Sequence, residues 1–116
     1  MQKHFNKVGG AIGEFDATEY LKNKKYKIIE KNHKNKLGEI DIVAQYKDTI
    51  VFVEVKARST LRFGRPSEAV DFRKQQKLRL VANLYLLQHH MMDKPCRFDV
   101  IEVIGQTQIN HIENAF

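Results

Sequence analysis

Cysteine is nearly absent from this 116-residue chain, and Cys96 is its single example. One thiol cannot form a disulfide within the chain, and no spacing of Cys and His is typical of a zinc site. The five histidines are scattered. His89 and His90 are adjacent, but neighbouring residues on a helix point about 100° apart and do not form a metal pair. The sequence therefore argues against a disulfide-stabilised scaffold and against a zinc protein.

Long apolar runs are also missing. No run could span a bilayer, and residues 1–10 lack the hydrophobic stretch of a signal peptide. Together with the lone thiol, this predicts a cytoplasmic protein with no membrane partner. Repeats, linkers and low-complexity segments are absent too. A chain of 116 residues suits one modest core, so we expect a single domain over residues 1–116.

Positive charge, in contrast, is abundant. The chain has 20 Lys and Arg against 14 Asp and Glu, a net charge of +6 and a pI near 9.5. This balance suits a polyanionic partner such as nucleic acid, although many soluble domains are basic without that role. The positions of the charges must therefore decide.

The most informative segment is residues 38–56, in which two strand-like runs flank a short turn. In the first run, one predicted face consists of Glu39, Asp41 and Val43. The opposite face consists of Ile40, Ile42 and Ala44. On the second run Glu54 and Lys56 share a face. The opposite face is an apolar row of Val51, Val53, Val55 and Ala57. Such a row belongs in a core, and ionisable groups on a central strand are costly without a partner or a task.

The turn determines which residues of the two runs face each other. With residues 47–48 at its centre, antiparallel pairing places Asp41 opposite Glu54 and Glu39 opposite Lys56. Opposed side chains have Cβ atoms about 4.5 to 5.5 Å apart, so the two carboxylates repel unless a proton or a cation lies between them. The pattern is that of a metal-dependent nuclease site. The alternative is an edge hairpin with a solvated face, on which Glu39 and Lys56 form a weak ion pair.

A third carboxylate, Glu14, is expected near this pair. Residues 10–24 are predicted to form a helix. Its inward stripe is Gly13, Ala17, Tyr20 and Leu21. Glu14 lies beside that stripe and should look toward the core or its rim. The alternative is an ordinary first-turn glutamate that the helix dipole favours.

Basic residues follow the second run. A loop with Gly64 and Pro66 is predicted after Lys56, and then a helix from an Asp71 N-cap to about His89. The basic residues of this loop and of the first helical turns are Arg58, Arg62, Arg65, Arg73, Lys74 and Lys77. Cations there oppose the helix dipole, whereas they would draw phosphates toward acidic residues. A solvated charged face is the alternative for any one of them.

The remaining elements are predicted to be scaffold. The inward stripe of the second helix is Leu78, Val81, Ala82, Tyr85 and Leu86. We expect a strand in the run YKIIEKN, another near residues 97–104 and an edge strand near residues 109–112.

These motifs together carry a family resemblance. The runs GEFDATEYL, YKIIEKN, GEIDIVA, FVEVKARS, FGRPSEAVDFRKQQKL and HIENAF resemble the YraN-type family of small proteins regarded as endonucleases, over nearly the whole chain. That family is similar to the PD-(D/E)xK restriction-endonuclease-like superfamily and, in pattern, to archaeal Holliday junction resolvases. The proline of the superfamily label is absent, since Ile40 precedes Asp41, but that position is widely degenerate. The resemblance implies an α/β fold with a restriction-endonuclease-like core: a mixed sheet with an antiparallel three-stranded meander, flanked by helices.

The resemblance also implies a role for each residue of the acidic centre. Asp41 and Glu54 would hold a divalent metal, with the main-chain carbonyl of Val55, and oxygen donors suit Mg²⁺ or Mn²⁺. Lys56 would orient the attacking water or stabilise the transition state. Glu14, which matches an acidic residue on the first helix of resolvase-like members, would ligate a second metal or bind a metal-bound water.

The function that this set predicts is a metal-dependent endonuclease that cleaves DNA phosphodiesters, with branched or junction DNA among the candidate substrates. Gln75 on the second helix would help to position a phosphate. The alternatives are a non-catalytic nucleic-acid-binding module that retains a nuclease fold, and a protein-interaction domain with incidental charge. The sequence leaves open whether the chain forms a homodimer.

Overall fold

A computed structural model describes the backbone of residues 2–58, 70–105 and 108–116, and the side chains of these ranges from residue 13 onward except that of Arg58. The elements are α1 Gln2–Asn23, β1 Lys27–Asn35, β2 Gly38–Tyr46, β3 Thr49–Arg58, α2 Phe72–Gln88, β4 Cys96–Ile104 and β5 Gln108–Ile112. The sheet order is β1-β2-β3-β4-β5, and only the β3/β4 pair is parallel. The fold is therefore the predicted one: α/β, with a mixed sheet, an antiparallel meander and flanking helices, consistent with a restriction-endonuclease-like core.

The sheet separates two hydrophobic clusters. One forms under α1, where Leu21 packs with Val51 and Val53, and the other under α2, where Tyr85 packs with Phe52. Strand β3 contributes to both clusters, and its residues 50–53 are at most 2% exposed. The interpretation of residues 38–56 as a solvated edge hairpin is therefore wrong, because β3, which carries Glu54, is paired with β2 on one side and with β4 on the other. At the far end of the apolar row, Ala57 is exposed.

Helix α2 follows the prediction closely. Asp71 is the N-cap, its side chain accepts a hydrogen bond from the Lys74 N–H at 2.9 Å, and His89 is the C-cap. All five residues of the predicted stripe are buried. Within the described residues, no helix is long and apolar enough to cross a membrane.

Helix α1 begins earlier than predicted, at Gln2 instead of near residue 10. The glycine pair at residues 9–10 lowers helix propensity but does not forbid a helix, and α1 runs through it. The inward stripe is as predicted: Gly13, Ala17 and Leu21 are buried, and Tyr20 is half-buried.

The regular alternation predicted for β2 fails at Asp41. Ile40 packs in the α2 cluster, although Ile42, two residues later, packs in the α1 cluster. The facing position on β1 is Asn32, which lies between the pairs Lys31↔Ile42 and His33↔Ile40 and has a left-handed φ of 54°. A residue in this conformation turns the strand locally. The predicted grouping of Ile40 with Ile42 on one face is therefore wrong.

Candidate functional site

The candidate site lies where β2 and β3 stop pairing. The two strands follow the predicted register from Tyr46↔Thr49 to Ile42↔Val53, and the described ladder ends there. At the next position the Asp41 Oδ2 accepts a hydrogen bond from the Val55 N–H at 2.8 Å. A carboxylate of β2 thus takes the main-chain donor that a longer ladder would pair with a carbonyl. The Asp41 side chain is held between the two strands.

One predicted neighbour is not part of this arrangement. Glu39 Oε1 lies 3.1 Å from Lys34 Nζ on β1, and both side chains are largely exposed. The predicted pairing of Glu39 with Lys56 is wrong, because β2 and β3 are no longer paired beyond Ile42.

Asp41 and Glu54 form a carboxyl pair. Glu54 is buried, with 7% of its surface exposed, and Asp41 is half-buried. Burial raises the pKa of Asp41 to about 7, with a further rise from the charge of Glu54 and a smaller one from Glu14. The hydrogen bond from Val55 opposes this rise because it stabilises the charged form. The pair therefore holds a proton at acidic pH, in the place where a cation would also be stabilised.

Two ammonium groups contact Glu54. Lys56 Nζ lies 3.5 Å from Oε2, and Lys74 Nζ lies 3.0 Å from the same oxygen. Lys56 belongs to β3, two residues after Glu54, so the two side chains leave the same face of the strand. Lys74 reaches across from the first turn of α2. The structure thus brings together two carboxyls and two lysines from three elements.

Glu14 stands at the margin of this group. It is half-buried on α1, where the helix approaches β3 closely: a Cβ atom added to Gly13 would lie 2.9 Å from the Cβ of Ala57. The charge of Glu14 is near enough to raise the pKa of Asp41. Among the described side chains, no three His, Cys, Asp or Glu groups lie close enough to hold one ion. Glu14 is therefore a neighbour of the carboxyl pair and not a third member of it.

The other predicted site residues have different surroundings. The Gln75 side chain donates to the Val70 carbonyl at 3.1 Å and so holds the start of α2. Arg73 and Lys77 are exposed on the same helix. The side chain of Arg58, and the whole of Arg62 and Arg65, lie outside the described residues, so their role in DNA binding stays a prediction.

Sequence reasoning missed Glu102. This residue is fully buried on β4, at the register position beside Lys56, and its Oε1 accepts a hydrogen bond from Asn110 at 3.2 Å. A signal was present, because Glu102 stands between Ile101 and Val103 in an apolar strand, and a buried acid needs partners or a task.

A second missed acid, Asp99, lies on the other face of the sheet. Its carboxylate binds Arg97, His111 Nε2 at 2.6 Å and the Asn114 N–H at 3.0 Å. Burial acts to raise the pKa of Asp99, but these hydrogen bonds outweigh it and lower the pKa. Asp99 thereby fastens the C-terminal run HIENAF to β4, which gives that motif a structural role.

Comparison with known proteins identifies the family. The model of the uncharacterised protein family UPF0102 matches residues 13–103. The chain belongs to the UPF0102 family. A UPF0102 protein of Caldanaerobacter subterraneus subsp. tengcongensis is 49% identical over 122 residues and covers all of both chains. A UPF0102 protein of Alkaliphilus oremlandii is 54% identical over 116 residues, which cover 96% of this chain and 99% of the relative. The one from Clostridioides difficile is 50% identical over 112 residues, or 96% and 98% of the two chains.

These matches confirm the family part of the resemblance inferred from the motifs. The matched range contains the carboxyl pair and both lysines that contact it. The UPF0102 names of the relatives state no activity, so the function must be argued from the site.

Proposed function

We propose that this UPF0102 protein is a metal-dependent DNA endonuclease of the PD-(D/E)xK, restriction-endonuclease-like kind. The observation that carries the proposal is the carboxyl pair at the point where two strands separate: Asp41 Oδ2 accepts a hydrogen bond from the Val55 N–H at 2.8 Å, and the charge of Glu54 contributes to raising the pKa of Asp41. Two acids side by side, one buried and one half-buried, cost stability unless a proton or a cation lies between them. Groups with a strongly shifted pKa in such a place are typical of functional sites.

An Mg²⁺ or Mn²⁺ ion fits this donor set. Asp41 and Glu54 would hold it, with the carbonyl of Val55, and all these donors are the hard oxygen ligands that such ions prefer. Burial is the main cause of the raised pKa of Asp41, and the charge of Glu54, which is the second cause, would also attract a cation. A bound ion would supply an acidified water and would neutralise charge on the phosphate.

Lys56, Glu14 and the exposed cations of α2 would act on the substrate. The Lys56 ammonium, 3.5 Å from Glu54, is placed to donate a hydrogen bond to the attacking water or to a phosphate oxygen. Glu14 would bind water at the margin of the site. The exposed cations of α2, Arg73 and Lys77, would attract the DNA backbone, which the acidic residues alone would repel.

A cleavage assay tests the proposal. Wild-type protein should cut at least one of branched, nicked or duplex DNA in Mg²⁺ or Mn²⁺. Asp41→Asn should remove cleavage and leave DNA affinity unchanged or slightly tighter, because a negative charge near the phosphates is gone. Glu54→Gln should also remove cleavage. Lys56→Ala should lower the rate and spare metal affinity.

The matched control is Asp48→Asn, which makes the same charge change in the β2–β3 turn, where the side chain is 80% exposed. It should cleave like the wild type, and Asp41→Asn prepared in parallel reports contaminating nuclease. If the wild type binds DNA but shows neither turnover nor a metal-dependent rise in melting temperature, a non-catalytic nucleic-acid module is the better interpretation. If it binds no DNA, a protein-interaction domain is.

A further inference from the structure

Lys74 makes the shorter of the two ion pairs at Glu54. Its Nζ lies 3.0 Å from Oε2, whereas Lys56 Nζ lies 3.5 Å from the same atom. The Glu54 side chain is 8% exposed, that of Lys56 is 26% exposed and that of Lys74 is 44% exposed. Lys74 therefore approaches the Glu54 carboxylate from the solvent side, whereas Asp41 and Lys56 lie on its less exposed side.

Helix stability does not explain a cation at this position. Lys74 lies in the first turn of α2, where the helix dipole disfavours positive charge, and that turn contains no acidic residue. Among the described residues, its ionic partner is Glu54, which comes from another element, β3. The favourable contact at Lys74 thus depends on Glu54, and anything that draws charge away from Glu54 weakens it.

A divalent ion bound to Glu54 would weaken the contact between Glu54 and Lys74. The same carboxylate oxygen would have to serve the ion and the Lys74 ammonium, and two cations at that distance repel each other. Lys56 is tied to the site by its position two residues along β3. Lys74 is not, because its stem extends from the end of a helix and almost half of the side chain is exposed.

We propose that Lys74 is a positioning residue that exchanges partners: it is the counter-ion of Glu54 in the metal-free protein and moves to a substrate phosphate when a divalent ion occupies Glu54. The inference rests on the proposed function. It predicts that metal and DNA each strengthen the binding of the other, because the metal frees an ammonium for phosphate and the phosphate removes a competitor of the metal.

The first test titrates MnCl₂ into DNA-free protein and follows free Mn²⁺ by electron paramagnetic resonance. Lys74→Met should bind Mn²⁺ about three to ten times more tightly than the wild type, since a partly buried competing ion pair is gone. The matched control is Lys27→Met, which removes one charge from an exposed lysine of β1 that pairs with Gln45, away from the carboxyl pair. Its affinity should stay within about twofold of the wild type, as expected for a surface charge without a direct pair.

The second test measures duplex DNA affinity with and without Ca²⁺, an ion with the same preference for oxygen ligands, and checks on gels that the DNA stays intact. Ca²⁺ should tighten DNA binding of the wild type and of Lys27→Met, and should tighten that of Lys74→Met several-fold less. Thermal melts of each variant confirm that it is folded, and Lys74→Gln replaces Lys74→Met if the latter is not.

The outcomes separate the two proposals. The exchange is overturned, and the endonuclease proposal left standing, if Lys74→Met has the same Mn²⁺ affinity as the wild type or if Lys27→Met gains as much Mn²⁺ affinity as Lys74→Met. An undiminished effect of Ca²⁺ in Lys74→Met overturns it as well. If the wild type binds no Mn²⁺, both proposals fail, and the Lys74 contact is a static ion pair.

Discussion

Asp41 is subject to two opposing influences. The Val55 N–H, 2.8 Å away, favours its charged form, whereas burial and the neighbouring Glu54 favour the protonated form and prevail. With a pKa of about 7, Asp41 changes charge near physiological pH. A metal that needs the carboxylate must therefore displace a proton below about pH 7, and metal affinity should rise with pH up to that point.

The stability of the metal-free protein should report this proton. A carboxyl whose pKa is about 7 when folded, against the ordinary value of 3.8, binds more protons in the folded state, so the wild type should lose stability as pH rises from about 4 to about 7. Asp41→Asn has no such proton to lose. In EDTA at about pH 8, the free energy of unfolding of Asp41→Asn should exceed that of the wild type by on the order of 1 to 3 kcal/mol. The difference should be smaller at about pH 5.

Urea unfolding at both pH values measures the difference. The exposed Asp48→Asn serves as the control, and its difference from the wild type should not grow with pH. If the difference in unfolding free energy between Asp41→Asn and the wild type is the same at both pH values, Asp41 does not titrate in the folded protein near neutral pH.

At this scale the sequence located much of the acidic centre but not its contacts. Alternation and turn register placed Asp41 next to Glu54, because both rules depend only on chain spacing. The contact of Lys74 with Glu54 depends on how α2 sits over β3, and the burial of Glu102 depends on the parallel β4 beside β3. Local spacing carries no information on such packing of distant segments.

Among the elements, α1 is held unusually close to β3. A Cβ on Gly13 would lie 2.9 Å from the Cβ of Ala57, and neither atom can move without its backbone. Gly13→Ala should therefore destabilise the fold by about 1 to 2 kcal/mol, despite the gain in helix propensity, because overpacking pushes the helix away from the strand. Cleavage should fall too, since Glu14 moves with α1.

A compensating variant tests the cause. Ala57→Gly removes the opposing methyl group, so Gly13→Ala with Ala57→Gly should recover part of the stability lost in Gly13→Ala, as measured by a double-mutant cycle in urea. Simple additivity of the two changes would show that the close approach is not what Gly13 provides.

The elements also show where sequence rules hold. Helix α2 was predicted to within a residue because Asp71 caps it and its apolar stripe has the helical period. The bounds of β2 were also predicted to within a residue, but its faces were not, because a period of two assumes an unbroken pleat and the left-handed Asn32 on the neighbouring strand interrupts it beside Asp41. The interruption coincides with the site, as expected where function overrides regular structure.

In the molecule as a whole, the two faces of the sheet have different tasks. The α1 face contains the Asp99 network that fastens the C-terminal segment, and the α2 face presents Glu54 and Lys56 below the basic start of α2. The overall charge of +6 favours any polyanion, but only a local excess of cations gives a defined DNA-binding surface.

The position of that surface can be tested through salt dependence. Arg73 and Lys77 are exposed on α2, next to the site, so replacing both with Ala should weaken DNA binding and reduce the log–log salt slope by roughly one unit per lost phosphate contact. The control pair is Lys22→Ala with Lys27→Ala: both are exposed, and Lys27 pairs with Gln45 near the opposite end of β2. Because the net charge falls equally in both pairs, a general attraction would weaken them alike. An equal loss in the control pair would therefore mean that overall charge, and not a surface over α2, drives DNA binding. Binding isotherms at several salt concentrations distinguish the two outcomes.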